Sequence, residues 1–234
     1  MATAHCEWGL NGVLALHERV KIVVIVDVLS FSTAVDIAVA RGAFIVPFPL
    51  GSGEAAAIAA HASGALLASP RRDGPYSLSP ASLQAIPAGT KLLLPSPNGS
   101  RLSLNCGAAK VFAGCLRNAS AVAAAVLRAG GDVAVIAAGE RWRGDDSLRP
   151  AIEDWLGAGA ILDALDLPMT AEARVARDAF RSARASLAQT IADSISGREL
   201  IERGFPMDVE LAHQFDVSAT APLLSGGVYR NANV

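Results

Sequence analysis

Lys21–Ala43 reads KIVVIVDVLSFSTAVDIAVARGA, and the reading of this stretch decides the fold. Five apolar residues, Ile22–Val26, run without alternation, the pattern of a strand covered on both faces in a parallel sheet. Asp27 follows where such a strand emerges. Ser30, Ser32 and Thr33 can each cap a helix, and Val35, Ile37, Ala38 and Val39 then carry an apolar helix face until Gly42 stops it. That order sets a carboxylate at the carboxyl end of a central strand and hydroxyls at a helix amino end. Open α/β sheets bind ligands in the crevice there, and helix amino ends favour anions. A lone Asp at that point also reads as an ordinary turn or cap residue.

The same strand–loop–helix order recurs on the C-terminal side. Ala43–Leu50 (AFIVPFPL) reads as a second strand that Pro47 and Pro49 push toward an edge or a strand end. Gly51-Ser52-Gly53-Glu54 opens an alanine-rich helix; it lacks the full G-x-G-x-x-G pattern and reads as a plain loop and helix start. Lys91–Pro95 (KLLLP) is a buried strand, followed by Ser96-Pro97-Asn98-Gly99-Ser100-Arg101. Asn-Gly is a strong turn signal, and a turn leading into a helix exposes successive N–H groups as an anion nest. Lys110–Gly114 begins the next strand, with Cys115-Leu116-Arg117-Asn118 leading into the helix ASAVAAAVLRAG, which Asn118 or Ser120 can cap. Asp132–Ala138 (DVAVIAA) is the last clear buried strand. The loop GERWRGDDSLR and a helix from Pro150 follow, with Glu153 and Asp154 in its first turn, where the helix dipole favours carboxylates regardless of function.

The remaining segments are less regular. Residues 1–20 suit an edge strand or a cover for the sheet, with His5 and His17 as surface residues. Residues 65–90 hold a short strand and a long proline-rich loop of the kind used for binding or as a lid, in which Arg71 and Arg72 are available to an anion. Residues 170–204 read as a long amphipathic helix and a shorter one. The tail gives a helix at ELAHQF and a hairpin or extended closing segment around Gly226-Gly227. Five strand–loop–helix units predict a three-layer α/β/α fold with a largely parallel central sheet, a mixed one being allowed, in a single domain over 1–234. A second sub-lobe beginning near residue 110 is the alternative division.

Composition excludes several classes. The 234 residues are 52% hydrophobic and 18% charged, which argues against long disordered regions. A formal charge of −2 with scattered Lys and Arg leaves no footprint for nucleic acid or an anionic membrane. No apolar run reaches the roughly 18 residues of a membrane span, and the first twenty residues do not form a signal peptide. Cys6, Cys106 and Cys115 are odd in number and lack zinc-type spacing, so they read as reduced thiols of a cytoplasmic protein.

Function then rests on the loops at the strand carboxyl ends. Asp27, Asn98-Gly99-Ser100, Arg117-Asn118 and the span Glu140–Asp154 all fall there. They supply carboxylates for a hard cation, nests for anionic oxygens and an arginine, which suits a Mg²⁺-assisted site on a small phosphorylated acid.

As an ordered set these segments resemble the ComB family, the 2-phosphosulfolactate phosphatases. The family's D-V-L-R-[AF]-[ST]-T stretch is similar to VDVLSFSTAV, at Asp27, Val28, Leu29, Ser32 and Thr33. Its T-N-G-[ST]-[RK] segment resembles Pro97-Asn98-Gly99-Ser100-Arg101, and its G-x-x-x-N-A segment resembles GCLRNASAVA at Asn118. Its E-D-x-x-x-A-G-A-I segment is similar to EDWLGAGAI, with Glu153 and Asp154 in place. Two segments depart: the arginine of D-V-L-R is Ser30 here, and SPRRDG and SLSP stand for the family's G-E-R and G-N-S-P.

The resemblance implies a cytoplasmic Mg²⁺-dependent phosphatase that removes phosphate from 2-phospho-3-sulfolactate. Asp27 with Glu153 or Asp154 would hold the metal, and the other carboxylate of that pair would serve as general acid or base. Ser32, Thr33, the N–H groups of Asn98–Ser100, Arg117 and Asn118 would bind the substrate. Asp27 as a phosphorylated nucleophile is the alternative mechanism, although Leu29 stands where aspartyl phosphatases carry a second Asp. A different small phosphoester on the same scaffold, or non-catalytic binding of a small anion, are the alternative functions. The slim face Gly157–Ala160 is suited to tight packing on a strand or partner helix, and with it a homodimer is expected.

Overall fold

The computed structural model describes residues 2–145 and 147–232. Asp146, in the loop GERWRGDDSLR, lies outside the described residues. In chain order the elements are β1 (Ala4–Trp8), α1 (Gly9–Leu16), β2 (Ile22–Val26), α2 (Phe31–Ala40), β3 (Phe44–Pro49), α3 (Gly53–Ser63) and β4 (Leu66–Leu67). After a long loop come β5 (Lys91–Ser96), α4 (Gly99–Ser103), β6 (Lys110–Gly114), α5 (Ala119–Ala129), β7 (Val133–Ala137), β8 (Glu140–Arg141) and β9 (Leu148–Arg149). The chain closes with α6 (Ile152–Ala164), α7 (Ala171–Ala183), α8 (Leu187–Asp193), α9 (Ile195–Glu202), α10 (Pro206–Ala212), β10 (Pro222–Ser225) and β11 (Val228–Asn231).

Every residue of β2 and β7 is buried, as an uninterrupted apolar run requires. Each Val or Ile so buried contributes about 1.5–3 kcal/mol. Their alternate side chains feed two cores. Val24, Val26, Val133 and Val135 pack toward α5, α6 and α7, and Val23, Ile25, Ala134 and Ile136 pack toward α1, α2 and α4. The fold is therefore α/β/α in three layers, as expected.

The nine-stranded sheet has the order β1-β7-β2-β6-β10-β11-β3-β5-β4. β1, β7, β2 and β6 form one parallel block, and β3, β5 and β4 another. Between them sits the tail hairpin β10–β11, antiparallel to both neighbours. The closing segment thus lies inside the sheet, and its three antiparallel steps make the second block run opposite to the first. Gly226 and Gly227 both have positive φ (59° and 77°), which the two-residue turn of this hairpin demands. β3 is likewise internal, which corrects the edge reading of its prolines, while Pro49 as its last residue fits the strand-end reading. Its pairing with β11 is confined to Ile45 opposite Tyr229, so Pro47 and Pro49 are spared a ladder bond they cannot make.

A flat sheet would hold β2 and β5 five strand spacings apart, about 24 Å. Here the second block curls over the first, and Ile45, Leu92 and Leu94 share one buried cluster with Val23 and Ile25. This brings the Asn98-Gly99 turn against the loop that follows β2.

The long amphipathic stretch is divided into α7, a 3₁₀ turn at Arg184–Ser186, α8 and α9, with Ser194 capping α9 through Gly197 N–H at 2.9 Å. Gly157–Ala160 are all buried within the chain. A Cβ at Gly157 would sit 2.7 Å from Val28 Cγ2, and one at Gly159 would overlap the Ala176 carbonyl of α7. That face is already covered and gives no seat to a second copy. The three cysteines are free and buried, and burial pushes each thiol up to about 12. Among the described residues no helix is long and apolar enough to cross a membrane.

Candidate active site

Asp27 stands at the carboxyl end of β2 and is buried. Its carboxylate accepts the Phe31 N–H at 3.2 Å through one oxygen and the Gly99 N–H at 2.8 Å through the other. Ser32 and Thr33 shape this turn from behind. Ser32 Oγ accepts from Asp27 N–H and donates to the Ile25 carbonyl, while Thr33 Oγ1 donates to the Val28 carbonyl. Both hydroxyls thus hold the loop.

Asp154, in the first turn of α6, reaches across the sheet edge. One oxygen accepts from Val28 N–H at 2.7 Å and the other from Gly139 N–H at 2.8 Å. It straps together the carboxyl ends of β2 and β7 and so braces the site. Glu153 beside it is buried and has no hydrogen-bond or ion-pair partner among the described residues.

Glu140, two residues beyond Ala138, joins this group from the β7 side and accepts from Asn98 Nδ2 at 2.9 Å. The four carboxylates feel one another. Burial lifts Asp27 to about 6 against the two N–H bonds, with the Glu153 charge adding to the rise. Burial and then the Asp27 charge lift Glu140 to about 7, and the same two causes push Asp154 well above the carboxylate range. None of the four is ion-paired to a lysine or arginine among the described residues.

Asp27, Glu140, Asn98 and Ser96 line a cavity of about 900 Å³. Its walls carry Arg71, Arg149 and Arg203, with the β8–β9 hairpin forming one side. Arg149 is nearly buried, its closest acceptors being Ser196 Oγ at 3.5 Å and Glu199 at 3.4 Å. Ser96 Oγ is buried and has no hydrogen-bond partner among the described residues. A second cleft of about 720 Å³ lies at the amino ends of β2 and β6, between Lys21, Lys110 and Gly130, and Glu18 is its one carboxylate among the described residues. The chemistry is concentrated in the first.

The other expected ligand residues are engaged elsewhere. Arg117 ion-pairs with the fully buried Asp36 at 3.0 Å and hydrogen-bonds the Leu211 carbonyl and Gln214, because a buried carboxylate demands a counter-charge. Asn118 bonds Cys115 N–H and the Ala113 carbonyl, fixing the turn after β6. Ser100 Oγ donates to the Leu94 carbonyl, and the Gly99 N–H of the expected nest is taken by Asp27.

Glu140, one end of the strand-end span Glu140–Asp154, and Ser96, which carries no expected role, both line the cavity. The signal for Glu140 was its position just past the end of β7, the strand neighbouring β2. Nothing in the sequence distinguished Ser96 from the many loop serines.

On chemical grounds the donor set fits a hard cation such as Mg²⁺: the buried carboxylates have no ion-paired lysine or arginine among the described residues, and the Ser96 hydroxyl lines the same cavity. Among the described residues no three acidic, His or Cys side chains converge as a metal cage. The fit is to the open mode of Mg²⁺ binding, through one or two carboxylates with water and phosphate oxygens completing the shell.

The model of the 2-phosphosulpholactate phosphatase family matches residues 13–227. A protein named probable 2-phosphosulfolactate phosphatase from Carboxydothermus hydrogenoformans is 32% identical over 214 residues, covering 86% of this chain and 85% of that protein. One of the same name from Pseudothermotoga lettingae is 30% identical over 134 residues, 57% of each chain. With a match over nearly its whole length and a carboxylate cavity at the strand ends, this chain belongs to the 2-phosphosulpholactate phosphatase family.

Proposed function

We propose that the protein is a Mg²⁺-dependent phosphatase that hydrolyses the phosphoester of 2-phospho-3-sulfolactate in the Asp27 cavity. The family match and the relatives' names support the substrate. The observation that carries the reading is the cavity itself, an unneutralised carboxylate floor with arginines on the walls. Asp27 and Glu153 would hold the cation. A cation held there would supply positive charge to stabilise the transferring phosphoryl group.

The residues of the chain do the rest. The N–H groups of Phe31 and Gly99 fix the Asp27 carboxylate in one orientation, which favours a ligand role over a nucleophilic one. Phosphoryl transfer through a loose transition state needs little activation of the attacking water, so leaving-group protonation and charge dominate. Glu140 faces the cavity, is oriented by Asn98, and burial, the largest cause of its rise to about 7 in the metal-free protein, favours its protonated form. Glu140 gives that proton to the ester oxygen as the P–O bond breaks, releasing the hydroxy acid. A proton from the attacking water restores it. Arg149, on the Glu140 side, has N–H groups to offer the phosphoryl oxygens.

A phosphate-release panel tests this, with phosphosulfolactate, phospholactate and phenyl phosphate assayed with Mg²⁺ and with chelator. Turnover that requires the metal supports the reading. A thermal shift on Mg²⁺ addition without phosphate from any ester would make the protein a small-anion binder.

A further inference from the structure

Ser30 stands where the family segment carries an arginine, yet the cavity is not short of a guanidinium at that point. Arg71, from the long loop between β4 and β5, lays Nη2 2.9 Å from Ser30 Oγ. Its Nη1 pairs with Asp208, which also accepts from Ser79 Oγ and from Ala81 N–H at 3.1 Å. One buried carboxylate on α10 thus anchors the loop in three places. Phe205 backs the guanidinium, its ring centroid 5.0 Å from Arg71 Cζ. Arg72 is directed to the Arg203 carbonyl, and Arg117 to Asp36, so Arg71 alone of these three faces the cavity beside Ser30.

Two donors are left over. Arg71 Nε–H has no partner among the described residues, and Ser30 Oγ accepts from Arg71 without donating to a protein acceptor. Both belong to side chains that line the cavity, and Arg71 lies within electrostatic reach of Asp27.

We propose that Arg71 and Ser30 form a second anion subsite, which binds the acid group of the substrate while the Asp27–Glu140 floor takes the phosphoester. The inference rests on the phosphatase reading and narrows it: the preferred substrates are phosphoesters carrying a further carboxylate or sulfonate a few atoms from phosphorus. Arg71 is a specificity residue, delivered by a different segment from the one that bears the family's arginine.

The test compares wild type with Arg71→Met and Arg71→Lys on phosphosulfolactate, phospholactate and phenyl phosphate, which lacks a second acid group. Arg71→Met should lower the kcat/KM ratio of phosphosulfolactate over phenyl phosphate about 10- to 100-fold, as loss of a charge-assisted bond does, mainly through KM. Arg71→Lys should fall between. Calorimetric binding of 3-sulfolactate, weakened in Arg71→Met and partly kept in Arg71→Lys at a temperature where circular dichroism shows both variants folded, gives the same answer without turnover, since loss of the Asp208 partner lowers the melting temperature of Arg71→Met by itself. An unchanged ratio, or equal losses on all three esters, would overturn the subsite while leaving the phosphatase standing. No phosphate from any ester, with Arg71-dependent binding of 3-sulfolactate intact, would remove the phosphatase reading and keep the subsite.

Discussion

The main-chain N–H of Gly99 donates to Asp27 Oδ2 at 2.8 Å, joining residues 72 positions apart and belonging to sheet blocks of opposite sense. This bond sets the direction of the carboxylate, and it exists only because the sheet curls. A side chain at position 99 would overlap the ring of the fully buried Phe31, with Phe31 Cβ 2.7 Å from a new Cβ.

Gly99→Ala should therefore cost about 1–3 kcal/mol of stability through overpacking and withdraw the N–H from Asp27. Urea unfolding and phosphate release measured on the same preparation should both show the loss. Wild-type stability with wild-type activity would mean the turn is not a constraint on the site.

Much of this architecture was legible in the sequence, and for identifiable reasons. The Ile22–Val26 run, Asp27 after it and the Glu153-Asp154 pair are local patterns, readable from burial periodicity and helix-end charge. The placement of β10–β11 between β6 and β3 was not readable, because strand order depends on contacts across more than a hundred residues. The role of Gly99 toward Asp27 depends on that order, and so does the direction of Arg117. Arg71 carried only the weak signal of an arginine on a long loop.

Asp154 braces two loops with both oxygens. Asp154→Asn replaces one acceptor by an N–H₂ facing an N–H donor, and should destabilise by about 1–3 kcal/mol while Mg²⁺ still raises the melting temperature. Loss of the Mg²⁺ response with stability intact would instead place Asp154 among the ligands.

Ser30→Arg looks at first like restoration of the family segment. With Arg71 already 2.9 Å from Ser30 Oγ, a second guanidinium sets like charge against the first and removes the hydroxyl that Arg71 bonds. Stability should fall by about 1 kcal/mol, the worth of the lost hydrogen bond, and kcat/KM for phosphosulfolactate should drop. A gain in kcat/KM would show that the position tolerates both arginines.

The metal-free protein should respond to pH in a defined direction. Asp27 rises from 3.8 to about 6 on folding and Glu140 from 4.5 to about 7. The native state therefore keeps protons that the unfolded chain releases, and this stability is complete below about pH 4 and lost as pH rises through 6 and 7. Comparing wild type with Glu140→Gln by chemical unfolding isolates the effect. Wild type should lose stability relative to the variant between pH 5 and 8, and a constant difference would place Glu140 outside the acid cluster.

Glu140→Gln also removes the proposed proton donor, and kcat for phosphosulfolactate should fall about 10²–10⁴-fold. Phenyl phosphate, whose leaving group needs less protonation, should lose much less. Equal losses on both esters would assign Glu140 to charge or metal binding instead.

The central claim is that phosphoester hydrolysis occurs at Asp27. Phosphate release from phosphosulfolactate by Asp27→Asn at saturating Mg²⁺, with folding verified by circular dichroism, tests it most directly. The account predicts a folded protein slowed about 10³-fold or more, the loss of several kcal/mol of transition-state stabilisation. A folded Asp27→Asn protein that turns over at the wild-type rate would contradict it.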